Sequence, residues 1–209
     1  AFGEGGGMTY DARTRRAVFS RDVVLTRGDL VLKADQLEAV LREEKDATAA
    51  PEKPGGHSLE QAGLRIHKLI ARQNVEMHAR GGRHSACASM VYDVDARTIT
   101  LLGEGVQRAR VWEERGSSLR SQRIVDLQDK HRIEADGPGE LTLAEPGPLG
   151  TVPRSARIGF EGRLVYVAEP GKPAQALFYR DVVLRWQDMT VRGDRLDAEL
   201  GEAVRVSKA

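Results

Sequence analysis

Apolar and polar residues alternate with period two along most of this chain. They do so in short runs rich in Val, Leu, Ile and Thr, which Gly, Asp or Asn breaks roughly every eight to twelve residues. No long segment places apolar residues at i, i+3, i+4 and i+7 between credible caps, so the pattern predicts strands and no long helix. Residues 17–41 show it most clearly. Val23 and Leu25 alternate with polar neighbours, Gly28-Asp29 makes a turn, and Leu30 and Leu32 alternate next. After Ala34-Asp35 the parity slips by one, and Leu37, Ala39 and Leu41 carry the apolar face. A slip of this kind predicts a bulge or corner at which a strand passes from one sheet to another.

The same pattern returns 159 positions later. AVFSRDVVLTRGDLVLKADQLEAVL (17–41) and ALFYRDVVLRWQDMTVRGDRLDAEL (176–200) align without a gap and share 12 of 25 residues. In the second copy Val182 and Leu184 lead, a turn falls at Gln187-Asp188, and Met189 and Val191 follow. The slip comes after Gly193-Asp194, and Leu196, Ala198 and Leu200 close the unit. Two diverged copies fit between them. Residues 70–94 lead with Asn74-Val75 and Met77 and turn at Gly81-Gly82, whereas residues 100–128 lead with Gly105-Val106 and turn near Arg115-Gly116. Four units (17–41, 70–94, 100–128 and 176–200) predict a repeat-built all-β architecture of bent strands, mostly antiparallel, in a single domain spanning residues 1–209. Residues 43–63, rich in Pro, Gly and charge, read as a flexible insertion, and 144–157 has a similar composition.

In the four units the residue before the first valine is Asp22, Asn74, Gly105 or Asp181. These residue types tolerate a left-handed backbone, so the position asks for a chain shape rather than a catalytic carboxylate.

Composition narrows the function. Lys and Arg total 32 against 31 Asp and Glu, and the arginines are interleaved with acids, which argues for solvated faces and against a nucleic-acid footprint. Cys87 is the single cysteine, so no intrachain disulfide can form, and it lies in an apolar alternation as a small buried residue does. No apolar run approaches the roughly 20 residues that span a bilayer. The chain opens on AFGEGGG, without an initiator Met, and reads as a mature or excised fragment. The serines lack a Gly-x-Ser-x-Gly context, and GEGGG does not lie between a strand and a helix. His78 and His84 could share a metal across a hairpin, but no Cys, Asp or Glu stands at ligand spacing. They read as exposed tip residues. No catalysis, metal or cofactor is expected.

The unit [Gly/Asn/Asp]-Val-x-[Leu/Met], a turn, then [Ala/Gly]-Asp-x-Leu resembles the OstA/LptA-like family of lipopolysaccharide-transport proteins, which includes LptA, LptC and the N-terminal domain of LptD. The clearest instances are Asp22-Val-Val-Leu25 with Ala34-Asp-Gln-Leu37, and Asp181-Val-Val-Leu184 with Gly193-Asp-Arg-Leu196. Here Arg-Asp stands twice, Gln-Asn once and Glu-Gly once where the family pattern has Gly-Asn. The resemblance implies a bent two-sheet β-jellyroll in the periplasm that holds acyl chains of lipopolysaccharide or a related glycolipid between its sheets. It also implies arginines near the headgroup phosphates, and edge strands that add to other such modules or to further copies of the chain.

The candidate groove lining is Val23, Leu25, Leu32, Leu37, Val75, Met77, Val106, Val182, Leu184, Val191 and Leu196. The same residues could equally fill a closed sandwich core. A structural module that associates only through its edges, or a carbohydrate-binding β-domain, remains as an alternative, although few aromatic platforms (aromatics are 5% of residues) speak for the latter.

Overall fold

The structure is a computed structural model and describes residues 6–43, 64–79, 81–114, 116–145, 154–200 and 204–207. Most of the insertion predicted at 43–63 lies outside the described residues. The strands are β1 (Gly7–Asp11), β2 (Arg16–Arg27), β3 (Leu30–Glu43), β4 (Leu64–Ala79), β5 (Arg83–Asp93), β6 (Thr98–Leu102), β7 (Ala109–Glu113) and β8 (Ser118–Ser121). They continue with β9 (Arg123–Leu127), β10 (Arg132–Asp136), β11 (Gly139–Glu145), β12 (Arg154–Phe160), β13 (Arg163–Val167), β14 (Ala174–Trp186), β15 (Met189–Leu200) and β16 (Val204–Ser207). All belong to one antiparallel sheet, and among the described residues the only helical element is a 3-10 turn at Gln128–Lys130.

The long strands break at the places where parity slips. In β2, Ser20 pairs Gln36 and Val23 pairs Ala34, so Arg21 and Asp22 together oppose Asp35 alone. In β14, Arg180 and Asp181 oppose Asp194 in the same way, and in β4, Gln73 and Asn74 oppose Ala88. The two extra residues are left-handed each time, with φ of 68° and 48° at Arg21-Asp22, 68° and 48° at Arg180-Asp181, and 62° and 51° at Gln73-Asn74. This division of labour accounts for the sequence pattern. A strand that spends two residues at its corner keeps its inward parity (Ala17 to Val23, Ala176 to Val182). Its neighbour spends one, and its parity flips (Ala34 to Leu37). Asn74 Nδ2 donates to Asp35 Oδ2 at 2.8 Å, tying one corner to the next. The acidic slot is therefore a backbone requirement, as the residue types implied.

Replacing Asp181 with Val should cost about 1–2 kcal/mol, the penalty of a β-branched residue held left-handed, while Asp181→Gly should be close to neutral. Urea unfolding of the two variants checks this, and a Val variant as stable as wild type would contradict it.

On either side of the corners the pairing runs in two ladders. The first joins 16–20 of β2, 36–43 of β3, 64–72 of β4, 89–93 of β5, β6, β9, β10, β13, 174–179 of β14 and 195–200 of β15. The second joins the remaining halves of those long strands with β7, β8, β11 and β12. Because β5 and β14 belong to both ladders, β5, β6, β9, β10, β13, β14, β12, β11, β8 and β7 close a barrel-like ring of ten strands.

The inward residues of both ladders meet in one apolar cluster. Phe160 and Phe178 pack at its centre with ring centroids 5.9 Å apart. Cys87 is buried there, and burial pushes its thiol up to about 12. Because the folded value lies above the ordinary value of 9.0, this group favours the fold below about pH 9 and loses that contribution as pH rises toward 12. The native protein should accordingly resist iodoacetamide at pH 8, where an unfolded thiol is partly ionised and reacts. Rapid labelling of the folded chain would show that the thiol is accessible.

Candidate functional site

The candidate lining residues divide into three groups. Val23, Leu32, Leu37, Val75, Met77, Val182, Leu184 and Leu196 are buried in the cluster, and Leu25 and Val191 pack against it half-buried. Val106 is a correction, because it is fully exposed. Its unit does not carry the two-residue corner of the others. Between β6 and β7 the chain runs through 103–108, where Glu104 and Gln107 exchange backbone hydrogen bonds of 2.8 and 3.0 Å around Gly105 (φ 57°). Gly105 meets the backbone expectation, but the valine after it stands on a tight turn outside both ladders.

Among the described residues two cavities lined by interior apolar side chains open to solvent. At the last strand pair a cavity of about 240 Å³ is lined by Val182, Leu184, Val191 and Leu196 together with 192–195. Among the described residues no strand lies beyond 189–193 of β15, since β16 pairs only with 197–200.

The second opening lies at the strand ends away from the corners. It is a cavity of about 230 Å³ between the two ladders, with Val111, Leu119, Leu141 and Leu143 on one wall and Ile133, Leu164, Tyr166 and Leu200 on the other. The lining is mostly apolar, and the space exceeds that of an engineered cavity of about 150 Å³ which takes up benzene. None of these eight was among the candidate lining residues. The alternations Leu141/Leu143 and Leu164/Tyr166 carry a usable signal, but they lie outside the four repeated units.

Arg83 closes one side of this mouth. It extends from β5 to Glu113 of β7 (3.9 Å) and across to Asp126 of β9 (3.8 Å), linking the two ladders. Beyond it lies a more polar cavity of about 360 Å³ that also includes Arg97, His131 and Gln128, so Arg83, Ile133 and Tyr166 form the partition. Burial pushes the Asp126 carboxyl above the usual carboxylate range, and Arg83 only partly offsets this. Burial likewise pushes the Tyr166 phenol up, with the charge of Glu113 adding to the effect, so its hydroxyl stays protonated at neutral pH. Arg97 is held by Asp129 at 2.9 Å.

His78 and His84 are also not the exposed tip residues expected. They sit directly opposite each other in β4 and β5, both half-buried, with their Nδ1 atoms 2.6 Å apart. Among the described residues no group of three or more His, Cys, Asp or Glu is arranged to hold a metal.

An antiparallel sheet folded along a line of bulged corners surrounds an apolar interior that opens to solvent. The chain matches the family model described as "LptA/(LptD N-terminal domain) LPS transport protein" over residues 4–132, and it belongs to that family. No curated protein matches it. The match ends at the start of β10, yet the cornered strand recurs beyond it in β14 with the same two φ values as in β2.

Proposed function

We propose that the protein is a non-enzymatic periplasmic module that holds acyl chains of a lipopolysaccharide-type glycolipid between its two ladders, in transport toward the outer membrane. In this reading residues 1–209 form one β-jellyroll domain, and the corners are the fold line between its sheets. The observation that carries it is the apolar cavity between Leu141/Leu143 and Ile133/Tyr166, which opens at the side of the molecule. A closed sandwich core has no use for such a mouth, whereas an acyl chain entering from solvent does. Arg83 stands at the mouth and Arg97 lines the polar cavity beyond it, where a headgroup phosphate would meet them. Longer or multiple chains need the ladders to part, and the Arg83 bridge is the contact that must yield.

The other opening, beside 189–193 of β15, supports a relay in which lipid leaves along the interior toward a neighbouring module. The sheet ends at β1 and β16 offer the docking edges. β1 pairs only with β2 among the described residues and exposes Met8 and Tyr10.

Native mass spectrometry with lipopolysaccharide or a lipid A analogue tests the reading. One-to-one lipid adducts are expected. End-to-end oligomers without any adduct at saturating lipid would leave only the edge-associating structural module.

A further inference from the structure

The pair His78–His84 serves neither the corners nor the groove. Both residues point away from the interior, since their neighbours Met77 and Ser85 are the buried members of the same strands. Position is fixed by the hairpin. His78 and His84 lie three residues either side of Gly81, and the two glycines of the turn both take positive φ (85° and 73°). His84 is sandwiched further. Its ring stacks on Trp112 of β7 at 5.4 Å and 19°, and the His78 ring meets it edge-on at 4.7 Å. Arg110 in turn lies over Trp112 at 4.9 Å. Neither imidazole is a free surface rotor.

Two ring nitrogens 2.6 Å apart require something electropositive between them. Two lone pairs or two N–H groups facing each other at that distance repel, so the pair must share either a hydrogen or a metal ion. Metal–imidazole bonds are about 2.0–2.1 Å long, so two cis ligand nitrogens sit about 3 Å apart. The pair reaches that separation by a few tenths of an ångström of side-chain rotation, with no movement of the ladder. Glu114 meets the other nitrogen of the ring, with Oε1 3.8 Å from His84 Nε2, and leaves the facing Nδ1 atoms to the ion. Its backbone N–H bonds to Gly82 O, and its side chain lies over Gly82, largely exposed.

We propose that His78 and His84 chelate a divalent first-row transition metal, with Cu²⁺ held more tightly than Ni²⁺ or Zn²⁺. Water completes the coordination. Two neutral imidazoles suit these borderline ions and offer little to Mg²⁺ or Ca²⁺, which take oxygen ligands. The two imidazoles lie on the outer face of the second ladder, and Trp112, on which His84 stacks, also borders the cavity between the ladders.

Trp112 supplies the readout. In a Trp186→Phe background it is the single tryptophan, and Cu²⁺ bound against the stacked His84 should quench its fluorescence to saturation at one ion per chain. His78→Asn and His84→Asn should each weaken binding at least about tenfold, while His67→Asn and His131→Asn leave it unchanged. Isothermal titration with Ni²⁺ and Zn²⁺ should show the same dependence on the two histidines. Circular dichroism and thermal melts of the metal-free variants separate lost ligation from lost fold. Quenching that persists undiminished in folded His78→Asn and His84→Asn proteins, or no heat with any of the three ions, overturns the assignment.

Discussion

Truncating Phe178 to alanine should cost about 3–5 kcal/mol, enough to leave a small β-protein marginal, while Phe19→Ala should cost roughly half of that. The two phenylalanines occupy the same place in the repeated unit, three residues before Asp181 and Asp22. Their cross-strand partners correspond as well, with Phe178 opposite Leu196 and Phe19 opposite Leu37. What differs is the other neighbour. Phe178 also pairs with Leu164 on β13, packs on Phe160, and has no exposed surface. Phe19 is only partly buried, because its second partner is Met8 on β1, a strand exposed along its whole length. The cost of a cavity follows the packing that surrounds the removed ring, so position within the stack should dominate over identity of the motif. Urea midpoints with unchanged m-values would measure the difference. Equal costs at the two sites would mean that the first copy is packed as deeply as the second, against the burial seen at β1.

The strands and corners were legible because period-two alternation is a local property. A corner also writes itself twice, once as a pair of residues that accept positive φ and once as a parity slip in the neighbouring strand. Arg21-Asp22 with Ala34-Asp35 carries both marks, and so does Arg180-Asp181 with Gly193-Asp194. The third unit was misplaced because Gly105 satisfies the backbone requirement inside a different device. A six-residue excursion at 103–108 does the work that two residues do elsewhere, and a short motif does not distinguish the two. Residues 132–167 were illegible as cornered strands for a related reason. Gly137-Pro138 and Glu161-Gly162 interrupt them outright, leaving pieces of five to seven residues.

The site was less legible than the fold. Chain pattern separates inward from outward residues, but it says nothing about distance from the fold line. Val23, Val75 and Val182 follow directly after the corners, where the ladders are closest, so they are among the most firmly packed of the inward residues. Leu143 and Tyr166 belong to the same parity, yet lie where the ladders have diverged. His84 and Trp112 show the same limit. Equal spacing about Gly81 placed the two histidines opposite each other, but the strand that brings Trp112 alongside arrives by long-range pairing.

That distinction decides which substitution tests lipid carriage. Replacing Leu143 with Asp should lower affinity for lipid A by about 10- to 100-fold, since it removes an apolar wall contact worth about 1.5–3 kcal/mol and places a charge where a chain must lie. The protein should still fold, because Leu143 is half-buried at the mouth and an aspartate there keeps access to water. Leu143→Trp should weaken binding by a different route, filling the cavity between Ile133 and Tyr166 without adding charge. Leu184→Asp is uninformative by comparison. That side chain is 2% exposed, so an acidic residue would unfold the chain and abolish binding for a trivial reason. Val106→Asp, on its exposed turn, should leave both fold and affinity unchanged. Displacement of a fluorescent acyl probe by lipid A, run beside thermal melts, reads all four. If folded Leu143→Asp and Leu143→Trp proteins bind lipid A as tightly as Val106→Asp, the mouth is not where chains enter, and the end opening at β15 becomes the next route to test.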